Sequence, residues 1–426
     1  MDAVLLARLQ FAGTTTVHWL FVVLALGLVP LVAVMHTRAA LARDPDVRAR
    51  WERATRFWGR LYVVNYALGI VTGLVMEFQL GLQWSGLSKY AGNVFGAPLA
   101  LETLIAFFAE STFLGMWIFG WDRLGRRVHA ALLWLVTLTA YASAYWIMVA
   151  NGFLQHPVGH EVRDGVAYLT DFGAMLVNPS ALLALGHITA GSLLAGGLFV
   201  AGISAYHLAR GRAEFQWTLR MGVAVAGAST VPAYALGGVQ YPLLERTQPT
   251  KMAVLGSGNW ADVGHTVMLY VAYVVFLVAL VAVVLVHRKG LLRWRVLSVP
   301  LFGLLVGEFV GGLLFGEAGP YRVPIAVVCA VLVGVLLWKP PAYQRFLAPV
   351  LVAVIPLPFV ASVGGWLFRE GGRQPWLVYG ELTVADAVSP VSATATAVSL
   401  VVFMSLFVAL AVADWVLIAR FARRVH

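Results

Sequence analysis

The sequence predicts an all-α, polytopic membrane bundle of about eleven transmembrane helices, N-terminus outside and C-terminus cytoplasmic. Three observations carry that prediction. Of 426 residues, 60% are hydrophobic and 12% charged, against roughly 45–50% and about 25% in soluble domains. Apolar stretches long enough to cross a bilayer recur along the whole chain. The basic residues fall on alternate sides of them. The composition excludes a soluble enzyme, a disordered chain and a secreted disulfide scaffold. The single cysteine, Cys329, excludes an intrachain disulfide or a CxxC pair.

A spanning helix needs about 20 mostly apolar residues. Such stretches lie near 13–36, 58–80, 96–121, 129–151, 179–208, 219–242, 263–287, 296–316, 321–338, 346–369 and 391–420. The first lacks a basic leader and carries a histidine, so it reads as a retained span and not a signal peptide. With the N-terminus outside, the inner segments 38–60, 123–127, 210–220, 288–295, 339–345 and 420–424 hold 22 of the 30 Lys and Arg. That distribution accounts for the formal charge of +10 through short inner loops, and it argues against nucleic acid as a partner. No internal repeat, phosphate-binding loop or GxGxxG turn is present.

Ionisable residues inside spans are costly and mark functional sites by default. Of ten histidines, only His18 and His187 lie within apolar spans. Read alone, either fits a hydrogen bond to a neighbouring helix equally well. Counting residues from the outer ends, His18, His187 and Met268 share one level, roughly 8–12 Å deep at ~1.5 Å per residue. His with Met is an axial pair for low-spin haem, and a lone His is a proximal ligand. A Met at such a position is more often plain core; the level match with His187 raises its standing. With two intramembrane histidines and no His-His pair, haem suits the chain better than copper.

Glu102 and Glu110 share one span and, on an uninterrupted α-helix, sit about 80° and ~12 Å apart. Two acids on one span suit a proton relay. Trp366, Glu370 and Arg373 follow at i, i+4 and i+7 on one face, ahead of Pro375. Glu370 with Arg373 reads as a helix-capping ion pair or as a carboxylate and guanidinium beside an anionic cofactor. Glu308 and Asp414 read as helix–helix hydrogen-bonding acids; Glu77 is set apart from them because it lies in a suggestive run.

The chain resembles subunit I of the cytochrome bd-type quinol oxidases. The resemblance rests on RLQFAGTTTVHW around His18, FWGRLYVVNYALGIVTGLVMEFQLGLQWS over 57–85 and FGAPLALETLIAFFAESTFLGMWIFGWDRLG over 95–125. It continues through WIMVANGFLQHPVG over 146–159, NPSALLALGHITAG over 178–191, QPTKMA over 248–253 and GWLFREGGRQPW over 365–376. It implies a terminal oxidase in the bacterial cytoplasmic (inner) membrane that passes electrons from quinol to oxygen, reduced to water, and draws protons from the cytoplasm. It implies two haems b and a haem d, or a third haem b, near the outer side. His187 and Met268 match the low-spin haem ligands. His18 matches the axial histidine, and Glu370 the carboxylate ligand, of the high-spin pair. Glu102 and Glu110 match proton-channel acids. Trp366 and Arg373 match residues packed on the haems and their propionates. Expected partners are a second membrane subunit, a small single-span subunit, quinol, oxygen and the lipid bilayer.

The whole chain, 1–426, reads as one membrane-embedded domain with two departures from that family. The segment 243–262 is a shortened quinol loop: Lys251 is kept, but Gly256 and Thr266 stand where the family has Glu and Arg. The segment 294–342 is an extra transmembrane hairpin. Two further readings stay open at this point: a bd-like oxygen reductase fed by another donor such as cytochrome c, and a multi-span permease.

Overall fold

The computed structural model describes residues 2–291 and 343–424. Helix α1 (Ala3–Leu41) is capped by the Asp2 side chain, which accepts from the Val4 amide. At 39 residues it is about 58 Å long, enough to cross a bilayer with a turn or two to spare at each end. A short link leads to α2 (Pro45–Gln83), where Asp44 accepts from the amides of residues 46 and 47 and Pro45 occupies the first turn.

The third span is broken in its middle: α3 (Ser85–Leu101) runs into a π-helical turn (Glu102–Phe107) and then α4 (Phe108–Phe119). The i→i+5 bonding of that turn adds a residue per ring. The 80° separation expected of Glu102 and Glu110 on an uninterrupted α-helix therefore does not hold. Helix α5 (Arg126–Gln155) returns to the first side and ends at a small antiparallel hairpin, β1 (His160–Arg163) with β2 (Val166–Leu169). Its two-residue turn, Asp164 and Gly165, has positive φ at both positions (51° and 73°), the backbone such tight hairpins require.

The remaining helices are α6 (Phe172–Leu176), α7 (Pro179–Leu208), α8 (Gln216–Gly238), α9 (Gln240–Thr247), α10 (Pro249–Met252) and α11 (Trp260–Leu291). After residue 342 come α12 (Tyr343–Val354) and α13 (Leu357–Gly371). A second hairpin, β3 (Trp376–Val378) with β4 (Leu382–Thr383), leads through α14 (Val384–Ala387) to α15 (Ala393–Arg423). Among the described residues nine helical stretches are long and apolar enough to cross a membrane, and they coincide with nine of the eleven expected ones. The other two, with the hairpin 294–342, Glu308 and Cys329, lie outside the described residues.

Both β-hairpins sit at one end of the bundle, here the hairpin end; the clustered arginines of the short links mark the other, basic end. Helix α7 is central and touches α1, α5, α8 and α12. Its run of Gly, Ala and Ser permits close backbone approach, as membrane helix pairs need. A Cβ on Gly196 would lie 2.4 Å from the Gly27 carbonyl carbon of α1. Toward the basic end the bundle is tightly filled by buried Leu24, Leu28, Met35, Trp58, Leu133 and Phe199. A separate cluster around Ala91, Phe153, Met175 and Val378 closes the hairpin end.

Two isolated acids end differently. Glu77 accepts a hydrogen bond from Thr103 of the π turn. Asp414 on α15 is buried, and its Oδ1 has no partner among the described residues, so the expected helix–helix hydrogen bond is not made there.

Gly196→Leu is expected to cost about 1–3 kcal/mol of stability, because the new side chain must enter the α1 backbone. A thermal melt of the purified protein in detergent checks this; an unchanged midpoint would show that the two helices are free to separate there.

Candidate functional site

Between the filled basic end and the hairpin-end cap lies a cavity of about 1510 Å³, larger than the 300–1,000 Å³ typical of a single small-ligand pocket. All nine residues singled out from the sequence line it: His18, Glu102, Glu110, His187, Lys251, Met268, Trp366, Glu370 and Arg373. They arrive from α1, the π turn, α4, α7, α10, α11, α13 and the link after α13, and only the tertiary fold brings them together.

Each histidine is oriented by its Nδ1. In His187 that nitrogen lies 2.8 Å from the Ala233 carbonyl of α8, which only accepts, so Nδ1 carries the proton. In His18 it lies 2.9 Å from Thr72 Oγ1. Thr72 in turn donates to the Gly69 carbonyl at 2.8 Å, which leaves its oxygen to accept from His18. Both rings therefore keep Nε2 as a lone-pair nitrogen, the arrangement of a histidine prepared to ligate a metal. Small residues make room beside the donors. A Cβ on Gly237 would lie 3.1 Å from His187 Cε1, one on Gly73 3.2 Å from His18 Cε1, and one on Gly365 2.7 Å from Met268 Sδ.

At the hairpin end, Glu370 is the centre of a buried polar network. Its Oε2 accepts from Arg373 Nη2 at 2.7 Å, and its Oε1 from Asn151 at 2.8 Å and Gln155 at 3.3 Å. Arg369 donates from Nε to Asn151 Oδ1 at 2.8 Å. The Lys251 amine donates to the Arg369 carbonyl at 2.7 Å and to Gln155 Oε1 at 3.0 Å. Two guanidinium groups and the Lys251 amine thus face one carboxylate. Arg373 is 2% exposed, and its Nε and Nη1 have no partner among the described residues. Buried charge without a partner is strongly disfavoured, so this wall fits an anionic group in the cavity. The donor set as a whole fits haem: lone-pair nitrogens, a thioether, a carboxylate, and guanidinium groups for its acidic side chains.

The other wall carries the acids. Glu102, which opens the π turn, accepts from Ser143 at 2.6 Å, and the Thr103 hydroxyl stands between it and Glu77. Deeper toward the basic end, Glu110 is 7% exposed and accepts from Tyr62 at 3.3 Å, with the Tyr66 and Ser111 hydroxyls bonded alongside. The polar groups Asn151, Gln155, Gln248, Arg369, Thr72 and Tyr62 were not singled out from the sequence. Asn151 and Gln155 carry a legible signal, an i, i+4 pair of amides on one helix face; Arg369 is signalled only by its place beside Glu370.

These features define a class: a multi-span membrane protein whose interior is built to hold a metal-bearing, anionic cofactor. The sequence profile of the family described as Cytochrome bd terminal oxidase subunit I matches residues 6–273 and 261–426. The chain belongs to that family. It is 35% identical over 414 residues to the cytochrome bd ubiquinol oxidase subunit 1 of Bacillus subtilis (strain 168), covering 92% of this chain and 87% of that one. It is 30% identical over 502 residues to the cytochrome bd-II ubiquinol oxidase subunit 1 of Escherichia coli (strain K12), covering 99% and 96%. In fold it is similar to a chain of the bd oxidase from Geobacillus thermodenitrificans, with a TM-score of 0.75, 24% identity and 99% of each chain covered.

Lys251 lies in the link outside the spans, and burial holds its amine well below the ordinary lysine range; Arg369 adds to the shift and Glu370 opposes it. The unfolded chain keeps that proton up to about pH 10.4, whereas the native amine sheds it earlier. Unfolded protein then binds more protons in that window, so native stability rises with pH there. Lys251→Met is expected to lose this contribution. Melting midpoints from pH 7 to 10 should climb more steeply for the parent than for the variant; parallel curves would place a cationic amine in the native site.

Proposed function

We propose that this chain is the haem-carrying, quinol-oxidising subunit of a bd-type terminal oxidase that reduces oxygen to water. The observation that carries the reading is the convergence of all nine candidate residues on one intramembrane cavity with an excess of buried positive charge. In this reading His187 and Met268 hold a low-spin haem b. His18 and Glu370 serve the two high-spin haems, a second haem b with haem d or a third haem b. Haem supplies one-electron redox chemistry and an iron site for oxygen. Trp366 packs on the macrocycles and Arg373 neutralises their carboxylates.

Reduction of one oxygen molecule to two waters consumes four electrons and four protons. The hydroxyl-rich wall is suited to proton delivery. Tyr62 donates to Glu110 on the side of the basic end, and Ser143 donates to Glu102. With the N-terminus outside and the arginine-rich links in the cytoplasm, protons enter past Glu110 and the electron donor meets the protein at the opposite face. The location implied is the bacterial cytoplasmic membrane, with a second membrane subunit and a small single-span one as partners.

Lys251 marks the quinol site within the short segment 243–262. Gly256 and Thr266, where the family has Glu and Arg, favour one second reading: a bd-like reductase taking electrons from another donor such as cytochrome c. Family membership sets the permease reading aside.

The purified complex, held anaerobic, is expected to develop reduced-haem bands on addition of a quinol. Bands that appear only with dithionite would favour the other donor, and a featureless spectrum with either reductant would overturn the haem reading. Met268→Leu or His187→Ala is expected to remove the low-spin bands. Glu110→Gln is expected to leave the spectrum intact and slow oxygen consumption by about 10²-fold or more, the usual scale of a lost proton-transfer group.

A further inference from the structure

The hairpin end of the cavity has a second polar exit. Tyr241 of α9 lines the cavity, and its hydroxyl is 2.5 Å from Nε2 of His265, a residue of α11 that is 7% exposed and lies behind it. Asp262 precedes His265 by one helical turn and is within electrostatic reach of it. Its carboxylate is partly exposed at the mouth of α11, where the Gly258 amide holds it at 2.9 Å and the Gly256 amide also bonds it. Gly256 and Gly258 both have positive φ (79° and 72°), so this link is shaped to turn its amides onto that acid. The ring of Phe368, which lines the cavity, stands between the two sides: His265 is 4.7 Å from it and the Lys251 amine 5.5 Å. Beside them the cavity is lined by apolar Leu244, Met252 and Leu255.

A flat aromatic and apolar floor, with a buried amine on one side and a tyrosine–histidine pair on the other, suits an uncharged aromatic diol. We infer that Tyr241, His265 and Asp262 form a proton outlet for a hydroquinone bound against Phe368. This deepens the quinol reading above and rests on it. When the hydroquinone becomes a quinone, its two O–H bonds break and two electrons leave, one at a time, to ferric haem as oxidant. Each proton reaches the Tyr241 oxygen as the Tyr241 proton moves to His265 Nε2. The imidazolium so formed is stabilised by Asp262 and loses its proton from Nδ1 to water at the hairpin end. Other charged groups around the outlet are Glu245, which lines the cavity, and Lys251; Glu245 is exposed, and Lys251 is engaged by Gln155 and the Arg369 carbonyl.

The test is anaerobic stopped-flow reduction of the purified complex by ubiquinol-1, with dithionite as the control reductant. Tyr241→Phe and His265→Ala are each expected to slow reduction at saturating ubiquinol-1 tenfold or more. Their half-saturating concentration and dithionite-reduced spectrum should match the parent. Imidazole in the buffer is expected to restore His265→Ala and to leave Tyr241→Phe slow. Asp262→Asn, at a partly exposed position that tolerates the change, is expected to slow reduction about threefold. Parent rates in Tyr241→Phe and His265→Ala would overturn the outlet, as would slow variants with altered dithionite spectra and no imidazole rescue. A parent complex that dithionite reduces and ubiquinol-1 does not would instead overturn the quinol reading, and the outlet with it.

Discussion

A carboxylate cannot be buried within a bundle of apolar helices without partners, and the arrangement around Glu370 answers that constraint. Its two oxygens take three hydrogen bonds, from Arg373, Asn151 and Gln155. Those donors belong to the link after α13 and to α5, and through Gln155 the network reaches Gln248 and Lys251 between α9 and α11. One buried charge thus ties together elements far apart in the chain. Removing any one partner would leave another group unpaired, so the wall of the cavity is specified as a unit. The excess of positive charge left in it turns a structural network into a receptor for an anionic group.

The cavity exists because the rest of the bundle is packed unevenly. Toward the basic end, α1, α2, α5 and α7 approach closely at small residues and fill the interior with leucine and aromatic side chains. At the level of His18 and His187, glycines stand where side chains would otherwise fill the space. The same residue type brings backbones together in one half and leaves room in the other. The π turn at Glu102–Phe107 adds to this, since it re-aims Glu102 toward Ser143 of α5.

The candidate site was largely legible as a set of residues. His18, His187, Met268, the acids of the third span and Glu370 with Arg373 stand out because charge and histidine are costly in lipid. The uncharged groups that orient them did not stand out. Thr72 and the Ala233 carbonyl fix the tautomers of the two histidines, yet a threonine and a backbone carbonyl carry no signal in an apolar run. Tyr241 and His265 lie on different helices, 24 residues apart, and no local pattern links them.

The sequence by itself determined the class of fold, nine spans that recur in the described residues, the alternation of basic links and the family. The family follows from the motifs, and the others follow from local composition: a run of about 20 apolar residues has few structures open to it in lipid, and an arginine near a span end has a preferred side. The tertiary structure alone brings nine residues from seven elements and a link into one cavity and breaks the third span at Glu102. It also sets two guanidinium groups and a lysine amine against one carboxylate. Those are relations between helices, set by how side chains and backbones meet across interfaces, and a linear pattern does not encode them.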